Sequence, residues 1–257
     1  MDRVTGALRV VGNAGGLFHL RDGAVVAVDS PGSPGLETLL LSSGRIEESD
    51  WTAALVESVE TRSLQAALLA RGIKSTEVED LITAVVLDGA FATAAGEIEE
   101  CLVDESIDHP LLAASDGVAT DLLLSETARR LDAIASLAVT LSPYRDRVVA
   151  AGRTESAVVT AEQREIIAHA TGRRTARDMA FALGRSLYPV TVEISRMLGD
   201  GLLEIAPPAT SSSCSHWGLT SLRPRTPATQ TVSREADQAS SLPTRRPGRA
   251  APDSGTV

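Results

Sequence analysis

Residue types that commonly do chemistry are few in this 257-residue chain, and they lie far apart. The four histidines fall in four separate segments without the spacing of metal ligands, and they are His19, His109, His169 and His216. Of the two thiols, Cys101 and Cys214, the second lies in a serine-rich stretch, so neither a disulfide framework nor a cysteine-based zinc site is predicted. We therefore expect no metal ion and no cofactor.

Carboxylates and glycines supply two further patterns that could belong to an enzyme. The acidic run from Glu97 to Glu105 could hold acid–base groups, but an exposed strand face explains it better, because nothing nearby would shift one pKa selectively. The glycine-rich stretch Gly12–Gly16 lacks G-x-G-x-x-G spacing and leads into a strand, so it does not predict a phosphate site. Since G-x-S-x-G and H-E-x-x-H motifs are also missing, the sequence predicts no catalytic residues and a protein that is not an enzyme.

Arginines in the C-terminal half are the remaining candidates for chemistry, since guanidinium groups bind phosphate and hydrogen-bond to base edges. If this part binds DNA, four residues would face the major groove, and they are Arg185, Tyr188, Thr191 and Arg196. Three more would bind phosphates near the start of the preceding helix, and they are Arg173, Arg174 and Arg177. The alternative is that these arginines are solvated or paired with carboxylates, namely Asp146, Glu155, Glu165 and Asp178.

The charge is divided unevenly along the chain. Residues 1–124 hold 21 acidic and 7 basic side chains, whereas residues 125–207 hold 10 and 11. An acidic first half repels nucleic acid and anionic membranes, so any DNA contact is expected beyond residue 124. We expect residues 1–117 to bind a partner protein and residues 153–206 to be the part that could bind DNA.

The elements that must position these residues begin with an antiparallel meander over Val4–Ser30. Its clearest signal is Asp22-Gly23 between apolar runs, because a tight hairpin turn needs positive φ. Two helix–Gly–helix units are then predicted between residues 36 and 95, with Ser49 as an N-cap. The segment 97–105 is predicted to be a strand that returns to the meander.

One long helix is predicted over residues 120–142, ending before Pro143. Its apolar stripe alternates spacings of four and three, and its members are Leu124, Ala128, Leu131, Ala135, Ala138 and Leu141. The stripe would form a connector packed on its own chain or a seam between two copies in a homodimer, and both alternatives stay open.

A winged helix-turn-helix is predicted over residues 153–206. Three short helices, over 161–170, 175–183 and 189–198, are followed by a hairpin strand at 202–205, with a turn at Gly172–Arg174. Thr160 with Gln163 and Thr175 with Asp178 have the spacing of capping boxes at the first two helices. Pro189 suits the first turn of the third helix.

Residues 207–257 are rich in Pro, Ser, Thr and Arg and are predicted to be a disordered tail. No signal peptide is expected after Met1-Asp2, and no stretch approaches the ~18 apolar residues of a membrane span. Together with the two distant thiols, this predicts a cytoplasmic protein that does not cross a membrane.

Several of these patterns resemble the PATAN-type regulatory domain. The similar stretches are Gly16–Gly23, Gly35 with Leu39–Ile46, Trp51, Ala84–Phe91 with Gly96, and Leu122–Leu131, followed by the predicted winged helix at 158–206. The resemblance covers roughly residues 4–206 and involves packing and turn patterns. It implies protein–protein contacts in bacterial signalling, and chains with a winged helix tend to be transcriptional regulators.

We therefore expect an α+β fold with four parts. They are an acidic interaction domain over 1–117, a connector helix within 118–152, a winged helix-turn-helix over 153–206 and a tail over 207–257. The expected function is that of a non-enzymatic winged-helix transcriptional regulator whose N-terminal domain binds a protein. The alternative is a signalling adaptor, in which the winged helix binds another protein and not DNA.

Overall fold

A computed structural model describes residues 4–104, 110–152 and 158–207. These residues belong to one compact unit, and they form eight helices and eight strands, with the strands in two antiparallel sheets. The expected α+β class is confirmed. The predicted disordered tail lies outside the described residues, apart from Pro207.

The first sheet contains the predicted meander. Its strands are β1 Gly6–Asn13, β2 Gly16–Arg21, β3 Ala24–Asp29, β4 Glu97–Asp104 and β5 Val118–Ala119, in the order β4-β1-β2-β3-β5. The β2–β3 turn has φ values of 53° at Asp22 and 81° at Gly23, which confirms the hairpin signal. Strand β4 pairs antiparallel with β1, so the predicted return strand is also confirmed.

Two helix–turn–helix units cover one face of this sheet. Their helices are α1 Leu36–Ser42, α2 Glu48–Thr61, α3 Leu64–Ala70 and α4 Ser75–Ala94. Buried side chains such as Leu40, Leu68 and Val78 pack with Val28 of β3 to form the first core. The N-cap of α2 is Glu47, so the expectation of Ser49 is wrong by two positions.

Helix α5 spans Thr120–Ala135, which is shorter than the predicted helix over residues 120–142. The face that it buries also differs from the predicted stripe. Its buried residues are Leu123, Thr127 and Ile134, while Leu124 is 64% exposed. Consecutive leucines at 122, 123 and 124 fit either face of a helix, so the periodicity alone identified the wrong one.

The second sheet and three helices form the C-terminal part. The elements are β6 Arg147–Ala150, α6 Ala161–His169, β7 Thr171–Thr175, α7 Ala176–Leu183, α8 Leu187–Gly199 and β8 Leu203–Ile205. Strand β6, which precedes α6, is the central strand of the order β7-β6-β8. Because β7 covers Thr171–Thr175, the segment Gly172–Arg174 belongs to a strand and is not the predicted turn. Both predicted capping boxes are present, at Thr160 and at Thr175.

Helix α4 links the two cores. Its N-terminal half places Val78 and Val86 in the first core, and its C-terminal end places Phe91 in the second, next to Leu187 and Ile194 of α8. Within the described ranges, no helix combines the length and the apolar character needed to cross a membrane.

Candidate functional site

The first turn of α8, the helix predicted to read DNA, is attached to α4 by a buried carboxylate. Asp88 of α4 is 1% exposed. Its Oδ2 accepts a hydrogen bond from the backbone N–H of Leu187 at 2.6 Å, and its Oδ1 accepts one from Tyr188 at 2.9 Å. Burial raises the pKa of Asp88, and the two backbone hydrogen bonds partly offset this effect. Asp88 therefore caps α8 from another part of the chain.

Tyr188 is held from two further sides. Its ring makes an edge-to-face contact with Phe91 of α4 at a centroid distance of 5.3 Å, and the guanidinium of Arg130 lies 4.9 Å from its centroid. Glu126 accepts hydrogen bonds from Arg129 at 2.6 Å and from Arg130 at 2.8 Å. These hydrogen bonds lower the pKa of Glu126 to about 2, and the bond from Arg129 has the largest effect.

The open side of α8 forms a concavity with α6 that we call the α8 groove, with a volume of about 510 Å³. Its lining includes the apolar residues Ile166, Pro189, Val190 and Val192 beside Tyr188, with two glutamates and two arginines around them. Arg185 donates a hydrogen bond to Glu165 at 2.5 Å, and Arg196 lies 3.9 Å from Glu193. Both arginines that would face DNA are thus next to carboxylates. Glu165 is one of the partners that the alternative interpretation predicts, whereas Glu193 is not.

Thr191 lies on the opposite side of α8, so the expectation that it faces a groove of DNA is wrong. It is fully buried, and its Oγ1 donates a hydrogen bond to the carbonyl of Leu187 at 2.8 Å. Ser195, one turn further, is also buried. The four residues predicted to read bases therefore do not share one face: Arg185, Tyr188 and Arg196 line the α8 groove, and Thr191 does not.

The arginines predicted to bind phosphate are also divided. Arg173 and Arg177 line a second concavity together with Arg147, and we call it the basic pocket. Its volume is about 440 Å³, and its other lining residues are Asn13, Ala14, Pro31, Tyr144, Thr175 and Asp178. Arg174 is not among them; it contacts the ring of His169.

Strand β4 is an edge strand with an open side. All eight of its residues are exposed, and among the described strands it pairs only with β1. Val103 lies opposite Leu8 and Cys101 opposite Val10, so these two continue a row of β1 side chains that packs toward the first core. On β4 that row is uncovered, and Val103 is 71% exposed.

The first sheet and the helices α1–α4 that pack on it form the N-terminal part of the structure. A largely apolar cavity of about 500 Å³ lies there between β3, α1, α2 and α4. Trp51 lines it and is 6% exposed. The indole N–H of Trp51 has no hydrogen-bond partner in the described part of the chain. Its lining shares Pro31 with the basic pocket and no residue with the α8 groove.

Two residues at these sites were not predicted as site residues. Asp88 is the only charged residue in the run from Leu81 to Gly96, and a lone carboxylate in a buried helix signals a specific partner. Arg147 stands in the sequence outside the predicted winged helix, and only the pairing of β6 with β7 brings it beside Arg173.

Comparison of this chain with protein-family models, with curated proteins and with solved structures finds no match in any of the three.

Proposed function

We propose that this chain is a non-enzymatic regulatory protein that acts through protein–protein contacts. Its C-terminal part, with the helix order of a winged helix-turn-helix, is an interaction module in this proposal. The observation that carries it is the α8 groove, where the open face of the third helix is largely apolar and both of its arginines lie beside carboxylates. An adaptor in bacterial signalling is also what the resemblance to the PATAN-type domain implies.

The contacts of α8 argue against insertion into a major groove. A recognition helix normally presents its N-terminal residues to base edges, whereas the first turn of α8 is bound to Asp88 and contacts Phe91 and Arg130. Glu162 and Glu193 also line the open face and would repel phosphates. An apolar concavity flanked by charge pairs is typical of a surface that binds protein.

The acidic N-terminal part offers β4 as its binding edge, and we propose an extended basic segment of a partner protein as the occupant. An open edge can accept a further strand through backbone hydrogen bonds. Glu99 and Glu100 are exposed and have no ion-pair partner among the described residues. Pairing of β4 with a second copy of itself would place these carboxylates close together, which favours a basic partner.

The first test titrates the full chain with a labelled random-sequence DNA duplex and with two blocked peptides. One peptide alternates Arg and Val over the length of β4, and the other alternates Glu and Val. We expect the basic peptide to bind and the acidic peptide and the duplex not to bind, even at low salt, where weak phosphate contacts are strongest. Binding of the duplex that is sensitive to salt, without binding of the basic peptide, would contradict the proposal.

A charge-reversed variant with a matched control locates the binding edge. Glu99→Lys with Glu100→Lys should weaken binding of the basic peptide at least about tenfold, which is ~1.4 kcal/mol. The control is Glu60→Lys with Asp80→Lys, which makes the same change of charge at exposed positions of α2 and α4. Equal weakening in both variants would show that overall charge, and not β4, attracts the peptide.

The second candidate function is a DNA-binding transcriptional regulator, and the exposed arginines Arg147 and Arg173 favour it. In that case, Arg173→Ala with Arg174→Ala should weaken binding to every sequence and reduce its salt dependence. Arg196→Ala should in addition relax the sequence preference. Unchanged affinity in both variants would exclude this function.

A further inference from the structure

We propose that the basic pocket binds the phosphate group of a small phosphorylated molecule. This inference is independent of the proposed function, because neither β4 nor the α8 groove contributes to this pocket. It rests on the charge of the lining residues, on how they are held, and on the walls that surround them.

The charge of the lining is positive. Among the described residues, the lining holds a single carboxylate, that of Asp178, beside Arg147, Arg173 and Arg177. The Oδ2 atom of Asp178 already accepts hydrogen bonds from the backbone N–H and from the hydroxyl of Thr175, both at 3.0 Å. Its other oxygen, Oδ1, lies 3.6 Å from Arg177. An anion entering the pocket therefore meets more positive than negative charge.

Two of the three guanidinium groups are available to a ligand. The side chains of Arg147 and Arg173 are exposed and have no hydrogen-bond or ion-pair partner within residues 4–104, 110–152 and 158–207. Arg147 lies directly opposite Thr175 in the β6–β7 pairing. Arg173 lies two residues before Thr175 on β7, where the register of this pairing shifts, and both Arg147 and Arg173 line the pocket.

The third guanidinium is held in place mainly by neutral groups. Arg177 donates two hydrogen bonds to the backbone carbonyl of Pro31, from Nε at 2.9 Å and from Nη2 at 2.7 Å. Its guanidinium carbon also lies 5.0 Å from the centroid of the Phe181 ring. A carbonyl and an aromatic ring orient the group, and the carboxylate of Asp178, 3.6 Å away, already accepts two hydrogen bonds from Thr175. Arginines that are preorganised in this way favour phosphate.

The walls of the pocket favour a small ligand over a DNA backbone. The N-terminal part contributes Asn13, Ala14 and Pro31 to the lining, and β6, β7 and α7 contribute the arginines. A rigid duplex requires an open surface, whereas a concavity of about 440 Å³ has the size of a small-molecule site. Because both parts of the chain line the pocket, an occupant would contact both of them and could act as an effector.

The test measures binding to the full chain by calorimetry, with inorganic phosphate, adenosine 5′-monophosphate, adenosine and a DNA duplex as probes. We expect phosphate and the monophosphate to bind and adenosine not to bind. Arg147→Gln and Arg173→Gln should each weaken phosphate binding at least tenfold. Arg164→Gln, an exposed arginine on α6 that does not line the pocket, should leave it unchanged.

Three results would overturn the proposal. They are no binding of either phosphate-bearing probe, equal binding in the pocket variants and in Arg164→Gln, and a duplex that displaces the monophosphate in competition. The substituted side chains of Arg147 and Arg173 are exposed, so the variants should fold, and their unfolding curves check this. Failure of this test leaves the peptide experiment on β4 unaffected, because that experiment uses a different surface and probe.

Discussion

Asp88 Oδ2 lies 2.6 Å from the backbone nitrogen of Leu187, so a carboxylate of α4 closes the N-terminus of α8 across 99 residues of chain. The free N–H groups of a helix end need acceptors when they are buried. At this end the acceptor comes from the N-terminal part of the protein. The position of α8, and with it the α8 groove, therefore depends on α4.

The first prediction is that Asp88→Ala lowers the free energy of unfolding by about 2–3 kcal/mol, because two buried N–H groups lose their acceptor. Urea unfolding measures this difference. Asp80→Ala is the matched control, since Asp80 lies on the same helix and is exposed. Equal effects of the two substitutions would contradict the role of Asp88 as a cap.

The second prediction concerns the pH dependence of Asp88→Asn. Burial raises the pKa of Asp88 above its usual 3.8, so the unfolded state releases this proton at lower pH than the folded state. The free energy of unfolding of the wild type therefore decreases as the pH rises from 3.8 through the raised pKa of Asp88. The free energy of unfolding of Asp88→Asn relative to wild type should increase over that window. A difference that does not change with pH would contradict it.

The third prediction has the opposite sign and concerns Glu126. Its pKa is lowered from 4.5 to about 2 in the folded state, so its ion pairs stabilise the fold above pH 4.5 and lose this effect as the pH falls toward 2. Glu126→Gln should be less stable than wild type at neutral pH and nearly equal near pH 2. Glu99→Gln, on exposed β4, controls for the loss of one charge. A deficit that persists at the acid end would rule out the ion pairs as its cause.

The fourth prediction compares two glycines in the left-handed region. Gly184 ends α7 with φ of +59°, and a Cβ there would overlap the side chain of Ser42 at the end of α1. Gly44 has φ of +66° and nothing within 4 Å of an added Cβ. Gly44→Ala should cost about 1 kcal/mol for its backbone alone, and Gly184→Ala clearly more. Thermal unfolding of the pair measures this, and equal losses would mean that α1 does not contact the α7–α8 turn.

The fifth prediction tests the burial of Thr191. Among the described residues, its hydroxyl bonds only to the carbonyl of Leu187 on its own helix, so Thr191→Val should change the free energy of unfolding by less than about 1 kcal/mol. Thr191→Arg should unfold the C-terminal part, because a charge cannot be buried there without a partner. Circular dichroism distinguishes the two variants, and a stable Thr191→Arg variant would show that this side of α8 is open.

Local sequence signals correctly predicted those turns and helix ends whose stabilising contacts lie within a few residues of each other. Asp22-Gly23 makes a turn because only its own backbone must adopt positive φ. Thr160 and Gln163 close a capping box within one helical turn. Neither case needs a distant partner, so the spacing of residues was sufficient.

The sites depend on contacts between residues that are far apart in the sequence, and the spacing of residues along the chain does not indicate which of them meet. Nothing near Asp88 in the sequence indicates that its partners are Leu187 and Tyr188. The sequence predicts a turn at Arg173, whereas its place beside Arg147 follows from the pairing of β7 with β6. The three leucines at the start of α5 show the same limit, because the neighbouring helices decide which of them is buried.

The position of β6 decides where the chain can be divided. A fragment that starts at residue 153 would keep α6, α7 and α8 but would lose the strand between β7 and β8, as well as the carboxylate that caps α8. Recombination that transfers only the last third of the molecule to another protein would therefore transfer an incomplete fold. The C-terminal part is complete only together with β6 and with the Asp88 carboxylate of α4.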